Sequence, residues 1–155
     1  MKLVGKHIKG LGVGGKFISM EYYLAHFRKL LGCDPYPGTL NLETQCDWRE
    51  LQSLCKPYVV PGKEVNGRML GPVLVWRGVV ELKDGERVQC LILRPLLSKH
   101  KSTVLELVSC SRLRERLGAG PVRVEVACEQ QEWLRLKKDP READGYCGKS
   151  QSDTA

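Results

Sequence analysis

The length, composition and charge of the chain are those of one basic globular domain. Its 155 residues, 42% of them hydrophobic and 28% charged, can bury about two-thirds of the unfolded surface, which excludes a disordered chain. The net charge of +7 favours anionic partners such as nucleotides, nucleic acid or acidic membranes, and the alternative is that it serves only solubility. Charges interrupt the first ten positions, and no stretch reaches the ~20 apolar residues that span a bilayer, so we expect a cytoplasmic protein with no membrane partner.

The first part of the chain predicts two strands, a helix and a third strand. Residues 2–10 alternate as in a strand, and residues 15–20 predict a second one after the glycine-rich GLGVGGKF of residues 10–17. Apolar residues recur every three to four positions in MEYYLAHFRKLLG, which predicts a helix over residues 20–32. DPYPGTLNLE then predicts a turn and a strand, with Thr39 and Asn41 on one face and Leu40 and Leu42 on the core face.

The rest of the chain is predicted to be mainly strands. Residues 63–96 are divided by NG, GP and DG turn signals, and TVLELVS and PVRVEVA predict two further strands. Between those two, residues 111–120, SRLRERLGAG, predict a short helix capped by Ser111. Because so few helices cannot connect parallel strands, the sequence predicts a mostly β barrel with one main helix and one short helix. We predict a barrel domain over residues 1–128 and a C-terminal helix with a flexible tail over residues 129–155.

The cysteines are odd in number and widely spaced, which disfavours a zinc site formed by neighbouring residues. They are Cys33, Cys46, Cys55, Cys90, Cys110, Cys128 and Cys147. Since no secretory segment is predicted, we expect reduced and mostly buried thiols, although intracellular proteins of hyperthermophiles do contain disulfides.

The glycine-rich segment has the spelling G-x-G-x-x-G, which dinucleotide-binding proteins share. That motif requires a helix directly after the glycines, and here the β-prone residues KFIS follow, which disfavours a dinucleotide fold. Glycines between two strands permit positive φ angles, and successive N–H groups can form a nest for phosphate oxygens, with Lys16 adding a positive charge. The alternative is a glycine-rich hairpin without a ligand.

Thr39 and Asn41, in the GTLN of residues 38–41, offer two oxygen atoms on the same side of a strand. Hydroxyl and amide oxygens are hard ligands that Mg²⁺ accepts, and because both are neutral, the ion would also need the negative charge of a bound nucleotide. The alternative is that both are ordinary strand residues.

Three motifs in this order resemble the CTP-dependent riboflavin kinases of archaea. They are GLGVGGKF, the LGCDPYPGTLNL of residues 31–42 and the SRLRERL of residues 111–117, and the resemblance extends over residues 2–126. It implies a six-stranded cradle-loop β-barrel. It also implies transfer of the γ-phosphoryl group of CTP to the 5′-hydroxyl of riboflavin, giving FMN and CDP with Mg²⁺ as cofactor.

The resemblance further implies roles for individual residues. Mg²⁺ would bind Thr39 and Asn41, and the flavin would contact Ser98 and Glu106, although the family leads us to expect a threonine at position 98. No general base is evident: Glu106 is a candidate, and a hydrogen-bond contact with the flavin is its alternative role. The nucleotide would contact Gly10, Leu11, Gly12, Val13, Gly14, Gly15, Lys16, Ser111, Arg112, Leu113 and Arg114.

The sequence alone also permits a second class of function: the chain could be a basic β-barrel that binds nucleic acid as a transcription regulator. It rests on the net charge and on analogy between folds. The absence of a basic recognition helix from the predicted elements and an aromatic content of only 6% disfavour it. A binder that has lost activity is a third alternative, which the oxygen pair of GTLN disfavours. We expect a monomer that does not bind nucleic acid.

Overall fold

The structure is a computed structural model that describes residues 1–10, 20–138 and 147. The strand predicted at residues 15–20 lies almost entirely outside the described residues. Strands and helices follow one another in the order β1 (Lys2–Ile8), α1 (Glu21–Leu31), β2 (Leu40–Thr44), α2 (Trp48–Leu54), β3 (Tyr58–Val60), β4 (Lys63–Val65), β5 (Arg68–Leu70), β6 (Val73–Glu81), β7 (Arg87–Pro95), β8 (Val104–Val108), β9 (Val122–Ala127) and α3 (Gln130–Lys138). No helix in these ranges is long and apolar enough to cross a bilayer.

Six antiparallel strands close into a barrel in the order β6-β7-β8-β2-β1-β9, and β9 pairs back onto β6. One edge of β6 is shared, since its first half pairs with β3 and its second half with β9. Strands β4 and β5 form a separate hairpin around Asn66 and Gly67, whose φ angles of 53° and 75° suit a type I′ turn. The prediction of a mostly β, six-stranded barrel is confirmed.

The main hydrophobic cluster lies inside the barrel, and helices α1 and α3 cover its outside. Leu42, Trp76, Ile92 and Leu105 belong to the interior cluster, because alternate residues of each strand point inward. Helix α1 packs its buried residues, among them Phe27, on the outer face of β6, β7 and β8. Helix α3 covers the outer face of β6 near Val79.

Helix α1 confirms the prediction for residues 20–32. Its buried residues Tyr23, Phe27 and Leu31 recur every four positions, as the apolar pattern predicted. Gly32 ends the helix in the left-handed region, with φ of 82°, and its N–H donates to the carbonyl of Arg28.

The helix predicted over residues 111–120 is present only as a single 3₁₀ turn, Arg114–Arg116. The capping role of Ser111 is wrong, because Leu113 precedes the turn without a side-chain cap. Leu113 and Leu117 both pack against the barrel interior, and the amides of Arg116 and Leu117 both donate to the carbonyl of Leu113. One turn is therefore enough to bring both leucines against the barrel, with Leu113 buried and Leu117 half-buried.

Of the two remaining helices, α3 was predicted from the sequence and α2 was not. Asp47 caps α2 by accepting a hydrogen bond of 2.8 Å from the amide of Arg49. The predicted C-terminal helix is present as α3, with Trp133 and Leu136 buried. The division of the chain after residue 128 stays a prediction.

The expectation of reduced thiols is wrong for six of the seven cysteines. The structure contains the disulfides Cys33–Cys110, Cys46–Cys147 and Cys55–Cys128, with Cα–Cα distances of 6.0, 5.4 and 5.0 Å. Closure of the barrel brings these positions into bridging range although they are far apart in the chain. Cys90 is a free, buried thiol whose pKa burial raises to about 12.

Candidate functional site

The barrel places Asn41 and Glu106 side by side on its outer face. The two are directly opposite each other in the ladder between β2 and β8. Their chain neighbours Leu40, Leu42, Leu105 and Leu107 fill the barrel interior, so Asn41 and Glu106 point the other way. The predicted metal ligand and the predicted flavin contact are thus adjacent.

Thr39, the second predicted metal ligand, directly precedes β2, and its hydroxyl is close enough to Glu106 to lower the pKa of that carboxyl group. A hydroxyl oxygen has two acceptor lone pairs, so Thr39 can also contact another ligand. Asn41 is buried, with 7% of its surface exposed. The structure therefore brings Thr39, Asn41 and Glu106 together.

The environment of Glu106 favours its protonated form more than water does. Burial raises the pKa of this carboxyl group, and the hydrogen bond from Thr39 and the charges of His100 and Arg94 offset part of the increase. A carboxylate of raised pKa accepts a proton more readily at neutral pH. This property suits both roles predicted for Glu106.

A cleft of about 200 Å³ lies beside this group. One wall is formed by residues 36–40, which include Thr39, and the other by Leu107, Ser109 and residues 111–114. The motifs PYPGTLNL and SRLRERL, which are far apart in the chain, therefore face each other across one cleft.

The predicted nucleotide contacts on the second wall differ in exposure. Leu113 is directed into the barrel interior and is 5% exposed, as the alternation of the segment predicts. Ser111, Arg112 and Arg114 are exposed. The guanidinium of Arg112 lies 3.0 Å from the carboxylate of Glu115, in an exposed ion pair that contributes little to stability.

The two walls of the cleft are joined directly. The amide of Tyr36 donates a hydrogen bond of 2.8 Å to the carbonyl of Ser109, and the disulfide Cys33–Cys110 links the same two segments. The hydroxyl of Ser109 donates to the carbonyl of Ser111. These contacts set the separation of the walls.

The start of the glycine-rich segment is close to this group. Ile8, at the end of β1, lies opposite Asn41 in the ladder, and Gly10 follows two residues later. Burial and the positive charge of Arg114 lower the pKa of His7, which places the end of β1 near the second wall. Residues 11–16 lie outside the described residues, so their predicted contacts with phosphate stay predictions.

Ser98 lies in the connection between β7 and β8, and its hydroxyl accepts a hydrogen bond of 3.1 Å from the amide of His100. The charge of His100 acts on Glu106, so this connection approaches the carboxylate. A contact of Ser98 with a flavin stays a prediction.

Arg94 was missed by the sequence analysis. Its side chain is buried, and its guanidinium donates to the carbonyls of Lys101, Val104 and His100 at 2.8, 2.8 and 3.1 Å. It thereby holds the connection that carries Ser98. The only signal in the sequence is a charged residue directly after the apolar run CLIL.

Comparison with known proteins shows the family of the chain. A family model named for CTP-dependent riboflavin kinases, and described as a domain of unknown function, DUF120, matches residues 8–126. The chain belongs to this family. The resemblance found in the sequence motifs is confirmed, and membership makes the chain an enzyme of the kinase class.

Several proteins named riboflavin kinase are similar to the chain over most of its length. A riboflavin kinase from Staphylothermus marinus is 33% identical over 117 residues, which cover 76% of this chain and 82% of that protein. One from Saccharolobus solfataricus is 31% identical over 121 residues, covering 76% and 67%. One from Pyrococcus abyssi is 32% identical over 129 residues, covering 80% of this chain and 58% of that protein.

Proposed function

We propose that the chain transfers the γ-phosphoryl group of CTP to the 5′-hydroxyl of riboflavin, giving FMN and CDP. Family membership supports the substrates and the reaction. The observation that carries the proposal at the level of residues is the position of Thr39, which lines the cleft and also lies close to Glu106. A nucleotide held in the cleft and a flavin held by Glu106 would therefore meet at Thr39.

In this proposal, the nucleotide binds between the two motifs that form the cleft. Arg112 and Arg114 are exposed at its second wall and supply positive charge for the phosphates. Gly10, at the end of β1, begins the segment whose amides would bind phosphate oxygens, as successive N–H groups in a glycine-rich turn do. Lys16 would add a further positive charge.

Thr39 and Asn41 fit the divalent ion that such a reaction requires. Their hydroxyl and amide oxygens are hard, neutral donors of the kind Mg²⁺ accepts. When bound, Mg²⁺ would neutralise part of the phosphate charge. The triphosphate supplies the negative charge that the two protein ligands lack.

Riboflavin is held on the other side of Thr39 in this scheme. Glu106 accepts a hydrogen bond from the flavin, and Ser98 contributes its hydroxyl from the connection that Arg94 anchors. Phosphoryl transfer depends mainly on positioning and on stabilising the developing charge. The chain therefore needs to align the 5′-hydroxyl with the γ-phosphorus and exclude water, and the raised pKa of Glu106 also suits it to accept the hydroxyl proton.

The proposal is tested by incubating the protein with riboflavin, Mg²⁺ and one of CTP, ATP, GTP or UTP, and measuring FMN by chromatography with fluorescence detection. We expect FMN with CTP, at least about tenfold less with ATP, and none after chelation of the metal ion. The absence of FMN with all four triphosphates would contradict the proposal. Tight binding of duplex DNA at physiological salt would then favour the nucleic-acid alternative.

A further inference from the structure

The disulfide Cys33–Cys110 joins the two walls of the cleft at their starting points. Cys33 follows Gly32, the residue that ends α1, and Cys110 comes two residues after Val108, the end of β8. The first wall begins three residues after Cys33, and residues 111–114 of the second begin directly after Cys110. This crosslink thus lies at the base of the candidate nucleotide site.

Both walls are irregular segments with few other restraints. Residues 32–39 connect α1 to β2 and residues 109–113 follow β8, and neither segment is part of a helix or strand. The hydrogen bond between Tyr36 and Ser109 joins them at one further point. Without the crosslink, a ligand that needs both walls would have to order them on binding, which costs affinity.

This disulfide is also the most accessible of the three. Cys110 is exposed and Cys33 is half-buried. Cys46 and Cys147 are 0% and 1% exposed, and in the remaining disulfide Cys55 is 1% exposed and Cys128 is half-buried. A reductant in solution therefore reaches the disulfide of the cleft before it reaches the other two.

We propose that the Cys33–Cys110 disulfide positions the two cleft walls for the nucleotide, and that its reduction weakens the binding of CTP while the barrel stays folded. This inference rests on the proposed function, because it assigns CTP to the cleft. In the reduction, a dithiol such as dithiothreitol supplies two electrons and two protons. The S–S bond breaks, Cys33 and Cys110 become thiols, and the reagent closes to its own cyclic disulfide.

The inference has a reciprocal consequence that needs no activity measurement. If the oxidised protein binds CTP about tenfold more tightly than the reduced one, saturating CTP must favour the oxidised form by the same factor. A factor of ten corresponds to about 30 mV for a two-electron couple. The reduction potential of Cys33–Cys110 is therefore expected to become about 30 mV more negative when CTP is bound.

The experiment measures the dissociation constant of CTP with Mg²⁺ by calorimetry for the oxidised protein and for protein treated with mild dithiothreitol. Alkylation with iodoacetamide and peptide mass mapping shows which cysteines have opened. Cys90 serves as an internal control for unfolding, because its buried thiol is labelled only if the barrel opens. The variant Cys33→Ser/Cys110→Ser is measured in parallel, with Cys55→Ser/Cys128→Ser, which lies outside the cleft lining, as the matched control.

We expect mild reduction to label Cys33 and Cys110 but not Cys90, and to weaken CTP binding about tenfold. Cys33→Ser/Cys110→Ser should bind like the reduced protein and no longer respond to dithiothreitol, whereas the control variant should bind like the oxidised protein. Equal CTP affinities of the oxidised and reduced wild type would overturn this inference alone. No CTP binding in any state, including the oxidised one, would overturn the proposed function and this inference with it.

Discussion

At the residue scale, Thr39 connects the two halves of the candidate site. Its place beside Asn41 could be predicted, because side chains alternate between the two faces of a strand. This local rule puts the side-chain oxygens of Thr39 and Asn41 on the face that points away from the core. The proximity of Thr39 to Glu106 could not be predicted, since Glu106 is brought next to this segment by the ladder between β2 and β8. The residues that touch across strands depend on this register, which a single sequence does not specify.

Glu106→Gln tests the contact with the flavin. The substitution keeps the shape of the side chain but removes its charge, so the KM for riboflavin should rise about 10- to 100-fold while the KM for CTP stays unchanged. Steady-state kinetics in both substrates measure this. Glu43→Gln, on the same strand as Asn41 and in an exposed ion pair with Lys101, is the control with little expected effect. A changed KM for CTP with an unchanged KM for riboflavin would argue against the assignment.

His7 reports on the charge of the second wall. Its pKa is held below the ordinary value by burial and by Arg114, so the neutral form persists to lower pH in the folded protein than in the unfolded chain. The corresponding contribution to stability is present above the unfolded-state pKa and is lost as the pH falls through the folded-state pKa. Arg114→Ala should raise the pKa of His7 in an NMR titration, whereas Arg112→Ala, which removes an ion-paired residue, should change it less. An unchanged titration in Arg114→Ala would contradict the proximity of the two residues.

At the scale of elements, α1 could be predicted and α2 was missed for physical reasons. Helix α1 has a regular apolar period and a glycine at its end, both of which are visible in the sequence. Helix α2 is short, and only Leu51 in it is buried, so its signal is a cap at Asp47 and little more. The helix predicted over residues 111–120 was too long, because the structure has only one 3₁₀ turn there. Capping residues indicate where a helix can start but do not indicate its length.

The connection between β7 and β8 is predicted to depend on Arg94. Arg94→Met removes the donor to three carbonyl groups and should lower the free energy of unfolding by about 3 kcal/mol, because buried acceptors lose their partners. Urea unfolding measures this. Arg68→Met, on the exposed hairpin, is the control and should change stability by less than about 0.5 kcal/mol. Equal stability of the two variants would contradict the anchoring role.

At the scale of the whole molecule, two disulfides fasten the C-terminal segment to the barrel. Cys46 and Cys55 lie on either side of α2, and their partners Cys147 and Cys128 lie on either side of α3. The sequence could not show this, because the pairing of seven widely spaced cysteines depends on how the barrel closes. We expected thiols because no secretory segment is predicted. Some intracellular proteins are nevertheless rich in disulfides, so the absence of a predicted secretory segment does not exclude them.

Cys55→Ser/Cys128→Ser is expected to lower the free energy of unfolding by roughly 2–4 kcal/mol, because the disulfide closes a long loop in the unfolded chain. Guanidinium unfolding of the oxidised variant and the oxidised wild type measures the difference. The wild type under strong reduction should lose more, since all three disulfides then open. A variant as stable as the wild type would show that this disulfide does not stabilise the fold.

The central claim is that the group formed by Thr39, Asn41 and Glu106 beside the cleft transfers phosphate from CTP to riboflavin. It is tested most directly with CTP carrying a radioactive γ-phosphorus, by following the label in wild type and in Asn41→Ala. We expect the label to appear in FMN, with one CDP released for each FMN, and transfer by Asn41→Ala to be about 100-fold slower while the protein stays folded. FMN without label, or transfer by Asn41→Ala at the wild-type rate, would contradict the account.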